Sequence, residues 1–282
     1  MPATIAVGVD GSDSSLAALR WALQSAGAGD ARVVVVVAKP HPGTNVTAES
    51  ARIRAIRGDD HVTDAVAAVH RVAPRANLDI QVADGSLTEV LLQMCDRVDL
   101  LVVGHHGHQG WRGIVTPSVS GQLVIRTTAA LCVVRSLPEP PSGVVVVGHD
   151  GRASDPAAHF AAARADQRGA RLVVATAWRY PSDTRATSAE TSGLLEKGAA
   201  ADQAVIVDEL REAFPRLPIA TAVGLGSPVE VLADLGASAD LVVVGSHRHG
   251  VRHSGLARLV LGSVALDLLR TLNVPVAVVP HD

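Results

Sequence analysis

The sequence predicts an α/β protein built as two tandem, doubly wound, five-stranded parallel sheets. Three observations carry this. The chain repeats itself after about half its length. Within each copy, short apolar β-branched runs alternate with longer helical patterns. A proline-rich joint separates the copies.

The repeat decides the architecture. Val7-Gly8-Val9-Asp10-Gly11 returns in the second half as Val147-Gly148-His149-Asp150-Gly151. Ala31-Arg32-Val33-Val34-Val35 returns as Ala170-Arg171-Leu172-Val173-Val174. Gly85-Ser86 with Glu89, and Asp99 through Gly104, return as Gly226-Ser227 with Glu230, and Asp240 through Gly245. These pairs keep almost the same offset. Val133-Val134 and Val278-Val279 stand further apart, so the second copy carries four extra residues after Gly245. The joint, Ser136-Leu137-Pro138-Glu139-Pro140-Pro141-Ser142, holds three prolines and reads as a stiff linker. Domains are therefore expected over 1–137 and 143–282.

In the first copy, strands are expected near 4–9, 32–38, 78–82, 99–103 and 131–135. Helices are expected over 13–27, 51–72, 86–97 and 118–128. The second copy has matching strand runs near 144–149, 171–177, 219–223, 240–244 and 275–279. These runs are continuously apolar, as parallel strands covered on both faces require. Strand–helix alternation with right-handed crossovers then favours a doubly wound sheet. Ser86-x-x-Glu89 and Ser227-x-x-Glu230 read as capping boxes, which assigns both glutamates to helix starts. Trp21, Cys95 and Cys132 read as core.

Composition narrows the function classes. The chain has 282 residues, 48% of them hydrophobic, and no apolar run of membrane-spanning length. Two cysteines are too few for a disulfide framework, and no secretory signal is visible, so a cytoplasmic protein is expected. A net charge of −3 and 2% aromatic content argue against nucleic acid as a partner. Lysine occurs only at Lys39 and Lys197, neither after a G-x-x-x-x-G, which excludes a Walker-type loop.

In an open parallel sheet, ligands sit beyond the carboxyl ends of the strands where strand order reverses. The candidates there are Asp10-Gly11 and Asp150-Gly151 after the first strand. After the fourth come Gly104-His105-His106-Gly107-His108 and Gly245-Ser246-His247-Arg248-His249-Gly250. Taken alone, Asp10 and Asp150 read as turn or N-cap residues. The glycine loops read as phosphate cradles, because glycine admits close backbone approach and a helix N-terminus follows. That helix starts near Pro117-Ser118 in one copy and Gly262-Ser263 in the other.

With these residues in place, the chain resembles a tandem member of the universal stress protein family. The family's ATP-binding pattern is an Asp after the first strand, then G-2x-G-9x-G-[S/T] after the fourth. The resemblance runs through both halves. It implies an adenine nucleotide alpha hydrolase-like fold, an adenine nucleotide as partner, and ATP as cofactor, often with Mg²⁺. In the first half Gly104, Gly107 and Ser118 match, with His105 between the first two, but Pro117 replaces the third glycine and removes an N–H donor. In the second half Gly245, Gly262 and Ser263 match, and Ser246 follows the first of them. Arg248 replaces the second glycine there. It either fills the space backbone should occupy or offers its guanidinium to phosphate. Lys39 and Trp178, at the ends of the second strands, would line the base through backbone. The resemblance further implies an intramolecular pseudo-dimer of the halves and leaves a homodimer open.

Other chemistry is weakly represented. Six of twelve histidines lie in the two loops (His105, His106, His108, His247, His249 and His253), but without Cys or H-E-x-x-H they do not suggest a metal site. Their protonation would make the loops more cationic near pH 6.5, so a pH-dependent anion affinity is expected. No nucleophile elbow or triad spacing is present, and the S-G-G-x-D-S loop of ATP pyrophosphatases is only loosely echoed at Asp10–Ser14. Trp111 sits in the first glycine loop, and the polar connections 39–50 and 179–189 lie beside the expected crevice as candidate lids. The expected function is an ATP-binding regulatory protein of the stress-response type, not an enzyme beyond slow ATP hydrolysis. The alternative is a scaffold of the same fold acting through protein contacts.

Overall fold

The computed structural model describes residues 3–27, 31–39, 48–74, 78–105, 119–151, 155–179, 189–247 and 263–281; side chains of 48–58, 189–192 and 247 lie outside that description. The chain divides into two compact units, Met1–Ser136 and Leu137–Asp282.

The first unit runs β1 (Thr4–Gly8), α1 (Asp13–Ala26), β2 (Arg32–Lys39), α2 (Ala48–Val72), β3 (Asp79–Asp84), α3 (Leu87–Met94), β4 (Leu100–Gly104), α4 (Val119–Arg126) and β5 (Ala130–Val134). Its strand order is β3-β2-β1-β4-β5, with every pairing parallel. The second unit repeats this with β6 (Val144–Gly148), α5 (Pro156–Arg168), β7 (Arg171–Trp178), α6 (Ala189–Ala213), β8 (Ile219–Leu225), α7 (Pro228–Gly236), β9 (Leu241–His247), α8 (Ser263–Thr271) and β10 (Val276–His281). Its order is β8-β7-β6-β9-β10, again all parallel. The expected α/β doubly wound class is the one observed.

The central strands explain the continuously apolar runs. Ile5, Ala6 and Val7 of β1, Val35 to Val37 of β2 and Leu100 to Val102 of β4 are fully buried. Helices cover both faces, so neither set of alternating side chains meets water. Each fully buried Val, Leu or Ile contributes about 1.5–3 kcal/mol. Trp21 of α1 is 1% exposed, and both cysteines are buried and free.

Glycines at the first-strand ends admit the crossover helices. A Cβ on Gly8 would stand 3.0 Å from Leu91 of α3, and one on Gly148 would stand 2.7 Å from Leu232 of α7. The two leucines are repeat equivalents and close the same gap in each unit.

Three local readings are corrected. The Ser86 box is half formed: Ser86 Oγ accepts from Glu89 N at 3.2 Å, but the Glu89 carboxylate pairs with Arg126 at 2.7 Å. The Ser227 box is complete, with Glu230 Oε2 accepting from Ser227 N at 2.8 Å. Glu89 has a cation on the neighbouring helix and turns to it, which the local four-residue pattern does not encode. Second, of the turn and N-cap readings, Asp10 takes the turn, and neither Asp10 nor Asp150 caps a helix; the N-caps are Ser12 for α1 and Asp155 for α5. Third, β9 extends through Gly245, Ser246 and His247, in register with Val279, Pro280 and His281 of β10. Residues read as the start of a loop are ladder-paired strand. β9 and β10 each run beyond the ends of their first-unit counterparts, β4 and β5.

Candidate functional site

In both units the chain leaves the central strand, fills one side of the sheet, and crosses to the other. β1 therefore pairs with β2 on one flank and β4 on the other, and β6 with β7 and β9. The reversal in strand order lies between β1 and β4, and between β6 and β9. That brings Asp150 and Gly245 to one cavity in the second unit, and Gly104 against the first turn of α1 in the first.

In the first unit, Asp10 shapes the turn into α1. Its Oδ1 accepts from Ser12 N at 3.0 Å and from Ser12 Oγ at 2.5 Å, an Asx turn. Gly11 has φ +81°, a left-handed conformation that suits glycine. Gly104 lies against α1 itself: a Cβ there would stand 2.7 Å from the carbonyl carbon of Ser14. Beyond it, His105 N donates to Val134 O at 2.9 Å, and Ser120 Oγ donates to His105 O at 3.2 Å. The His105 ring nitrogen Nε2 lies 2.6 Å from Arg135 Nη2. A guanidinium only donates, so Nε2 accepts and the imidazole is neutral in this arrangement. His105 is thus tied to β5 and its neighbour rather than presented as a cationic anion ligand. Gly107, Pro117 and Ser118 lie outside the described residues, as do Trp111 and connection 40–47.

Lys39 and Trp178 close the second strands in equivalent ways. The carbonyl of Lys39 accepts from Gly85 N at 2.9 Å, and that of Trp178 from Gly226 N at 3.0 Å. The Lys39 ammonium pairs with Asp59 of α2, and that hydrogen bond holds it above the ordinary lysine value.

The second unit is built differently at the same place. α5 starts after Asp155, whose Oδ1 accepts from Ala157 N at 2.9 Å and Ala158 N at 3.1 Å. Its Oδ2 lies 2.9 Å from His149 Nδ1. Burial, the largest influence, pushes the Asp155 carboxyl up. The hydrogen bond and charge of His149 and the two backbone donors outweigh it, so the group ends below the ordinary carboxylate range. An ionised Asp155 accepts from Nδ1–H, which leaves Nε2 as the remaining nitrogen of the ring. That atom is buried and has no hydrogen-bond partner.

His149, Asp150 and Asp155 line a cavity of about 310 Å³ at the carboxyl ends of β6, β7 and β9. Gly245 and His281 form another wall, and Val264 and Ala265 bring the first turn of α8 to it. Gly245 admits His281: a Cβ would stand 2.6 Å from His281 Cε1. A second cavity of about 370 Å³ shares Asp150 and Ala177 and extends toward Gly198 and Asp202 of α6. Gly151 has φ +87° and faces Asp202. Ser246 is 2% exposed within β9, so its side chain is interior rather than loop-borne. Ser263 is exposed as the first residue of α8. Arg248, Gly262 and connection 180–188 lie outside the described residues. Among the described residues no group of three His, Cys, Asp or Glu could hold a metal ion, and no helix is long and apolar enough to cross a membrane.

The family model for the universal stress protein family matches residues 1–135 and again 143–280. The chain belongs to the universal stress protein family.

It is a tandem member, with one family domain in each half. Among curated universal stress proteins, Rv2005c of Mycobacterium tuberculosis is 32% identical over 67% of this chain. The match spans 64% of that relative's own length. Rv1996 of the same organism is 27% identical over 99% of this chain and 96% of its own length. Among solved structures, a universal stress protein from Archaeoglobus fulgidus superposes over 99% of this chain and 98% of its own, with a TM-score of 0.68 at 14% identity. A universal stress protein from Pseudomonas aeruginosa covers 98% of this chain with a TM-score of 0.59 at 15% identity. At those identities the likeness establishes the shared fold.

Sequence reasoning passed over His149, Asp155 and His281. The signal for His149 lay in the repeat itself, where Val9 is replaced by histidine beside a retained Asp. Asp155-Pro156 is an N-cap followed by an N1 proline, a helix-start pattern displaced from the first copy's. His281 had no local signal, since only the paired lengthening of β9 and β10 sets it beside Gly245.

Proposed function

We propose that this universal stress protein binds an adenine nucleotide, ATP with Mg²⁺, in its second half, and acts through the bound conformation rather than through turnover. The observation that carries the reading is the cavity of about 310 Å³ where strand order reverses, lined by Asp150, Gly245 and the first turn of α8. A nucleoside fits that concave, largely apolar space. The phosphates would lie toward the α8 N-terminus, where Gly262-Ser263 matches the family pattern and backbone N–H groups with the helix dipole favour anions. The Ser263 hydroxyl would contact phosphate or its Mg²⁺. Asp150 would face the nucleoside.

The first half is the weaker candidate. Pro117 removes a phosphate donor, and Asp10 and Gly104 are engaged in the turn into α1 and in packing on it. Among the described residues no nucleophile and general base stand at persuasive spacing in either half, which favours a binding role.

The test is calorimetric titration of ATP–Mg²⁺ into the full chain and its Ser263→Ala variant. Saturable binding, weakened about fivefold or more by the variant, is expected from loss of one hydrogen bond to a charged group. No heat with the wild type would leave the protein-contact scaffold as the better reading.

A further inference from the structure

One face of α6 borders the second cavity of the second unit. Leu194, Gly198 and Asp202 stand four residues apart in turn, so they form a single stripe along the helix. All three line the cavity of about 370 Å³. Leu194 is a large apolar side chain left 66% exposed. Gly198 weakens the helix interior, and a Cβ there would meet nothing within 4 Å. The stripe therefore offers an apolar edge, a flat floor and a carboxylate. Asp202 is exposed, so a ligand can reach it. Its Oδ2 would stand 3.6 Å from a Cβ on Gly151, which shows the carboxylate turned toward the Asp150-Gly151 turn. In the first unit the helix backbone itself lies at this turn: a Cβ on Gly11 would stand 3.5 Å from Ala65 Cα of α2. There, too, the Lys39 ammonium at the end of β2 pairs with Asp59 of that helix.

We propose that Asp202 is a specificity-determining residue of the second-half site, and that its carboxylate accepts a hydrogen bond from the exocyclic amine of an adenine base lying over Gly198. The two cavities adjoin, since Asp150 and Ala177 line both. The base of a nucleoside held in the first cavity extends past Asp150 into the second. Its flat face meets Gly198 and Ala177, and Leu194 covers an edge. An ionised carboxylate only accepts, so it suits a donor amine at the rim of the ring. The same charge repels phosphate, which keeps the triphosphate at the other end of the site, by the α8 N-terminus. The inference rests on the proposed nucleotide site in this half and adds which group of the base is read there.

The experiment compares ATP with purine riboside 5′-triphosphate, which lacks only the amino group, each with Mg²⁺, binding to the full chain and to its Asp202→Ala variant. Position 202 is exposed on a helix and alanine favours helix, so the variant keeps the fold. The ratio of the two affinities is read, because the charge lost with Asp202 acts on both triphosphates alike and cancels. The wild type should prefer ATP by about fivefold or more, from one hydrogen bond to a charged group. Asp202→Ala should bind the two alike. Equal affinity of the wild type for both, or a preference that survives Asp202→Ala, overturns the inference while leaving the nucleotide site standing. No binding of either triphosphate by the wild type overturns both.

Discussion

Gly104 lies directly on the backbone of Ser14, so close that a Cβ would stand 2.7 Å from its carbonyl carbon and 2.8 Å from its oxygen. The end of β4 and the first turn of α1 thus share one spacing, and the first glycine of the family's loop pattern has a packing duty before any ligand is considered. Gly104→Ala should cost about 1–3 kcal/mol, because backbone rather than a pliable side chain must yield. Gly245→Ala meets only the His281 ring and should cost under about 1 kcal/mol. Urea unfolding of the two variants checks the order, and equal losses would contradict it.

Asp155 joins the α5 N-terminus to the buried His149 ring. Asp155→Ala removes the cap and leaves Nδ1 unpaired, so a loss of about 2–4 kcal/mol is expected from the two costs together. The pH dependence has a definite sign. The folded carboxyl lies below its unfolded value. Its stabilisation is therefore fully present above the unfolded pKa of about 3.9 and is lost as pH falls through the lower folded value. The gap between the unfolding curves of wild type and Asp155→Asn should close as pH drops below about 4. A gap that widened on acidification would contradict this.

Asp240 secures the entry to the second unit. Its carboxylate accepts from Ser142 N at 2.7 Å, Ser142 Oγ at 3.1 Å and Gly143 N at 2.8 Å, and the residue is 8% exposed. The equivalent Asp99 is exposed and accepts from Thr4 N at 2.7 Å. Asp240→Ala should lose about 2–3 kcal/mol, and Asp99→Ala clearly less, by thermal or urea unfolding. A larger loss at Asp99 would show that burial does not set the difference.

The two helix-start glutamates should answer salt differently. Glu89 is held below the ordinary carboxylate range chiefly by its hydrogen bond to Arg126, and Glu230 chiefly by the backbone N–H of Ser227. An exposed ion pair is screened, whereas a bond within one turn is less so. The destabilisation from Glu89→Gln should shrink between low salt and 1 M NaCl. That from Glu230→Gln should change little over the same range. Parallel salt responses would contradict the assignment.

What was legible in the sequence was whatever repeats or runs along the chain. The Val-rich strands, the helices between them and the duplication of Asp10-Gly11 as Asp150-Gly151 all follow from periodicity and self-alignment. What escaped depends on pairs distant in sequence. Glu89 left its capping box because Arg126 lies on the neighbouring helix. Ser246 became interior strand because Pro280 lies opposite it in β10. Gly104 and Gly245 both looked like phosphate glycines, yet each also admits a neighbour, Ser14 in one unit and His281 in the other. The exchange of Val9 for His149 was in plain view, but its meaning required Asp155 to arrive 2.9 Å away.

The nucleotide site in the second half is tested most directly by a crystal structure of the full chain with a non-hydrolysable ATP analogue and Mg²⁺. The nucleoside should occupy the cavity beside His149 and Asp150, with its phosphates at the Gly262-Ser263 end of α8. A nucleotide bound in the first half alone, or no bound nucleotide at saturating concentration, would contradict the account.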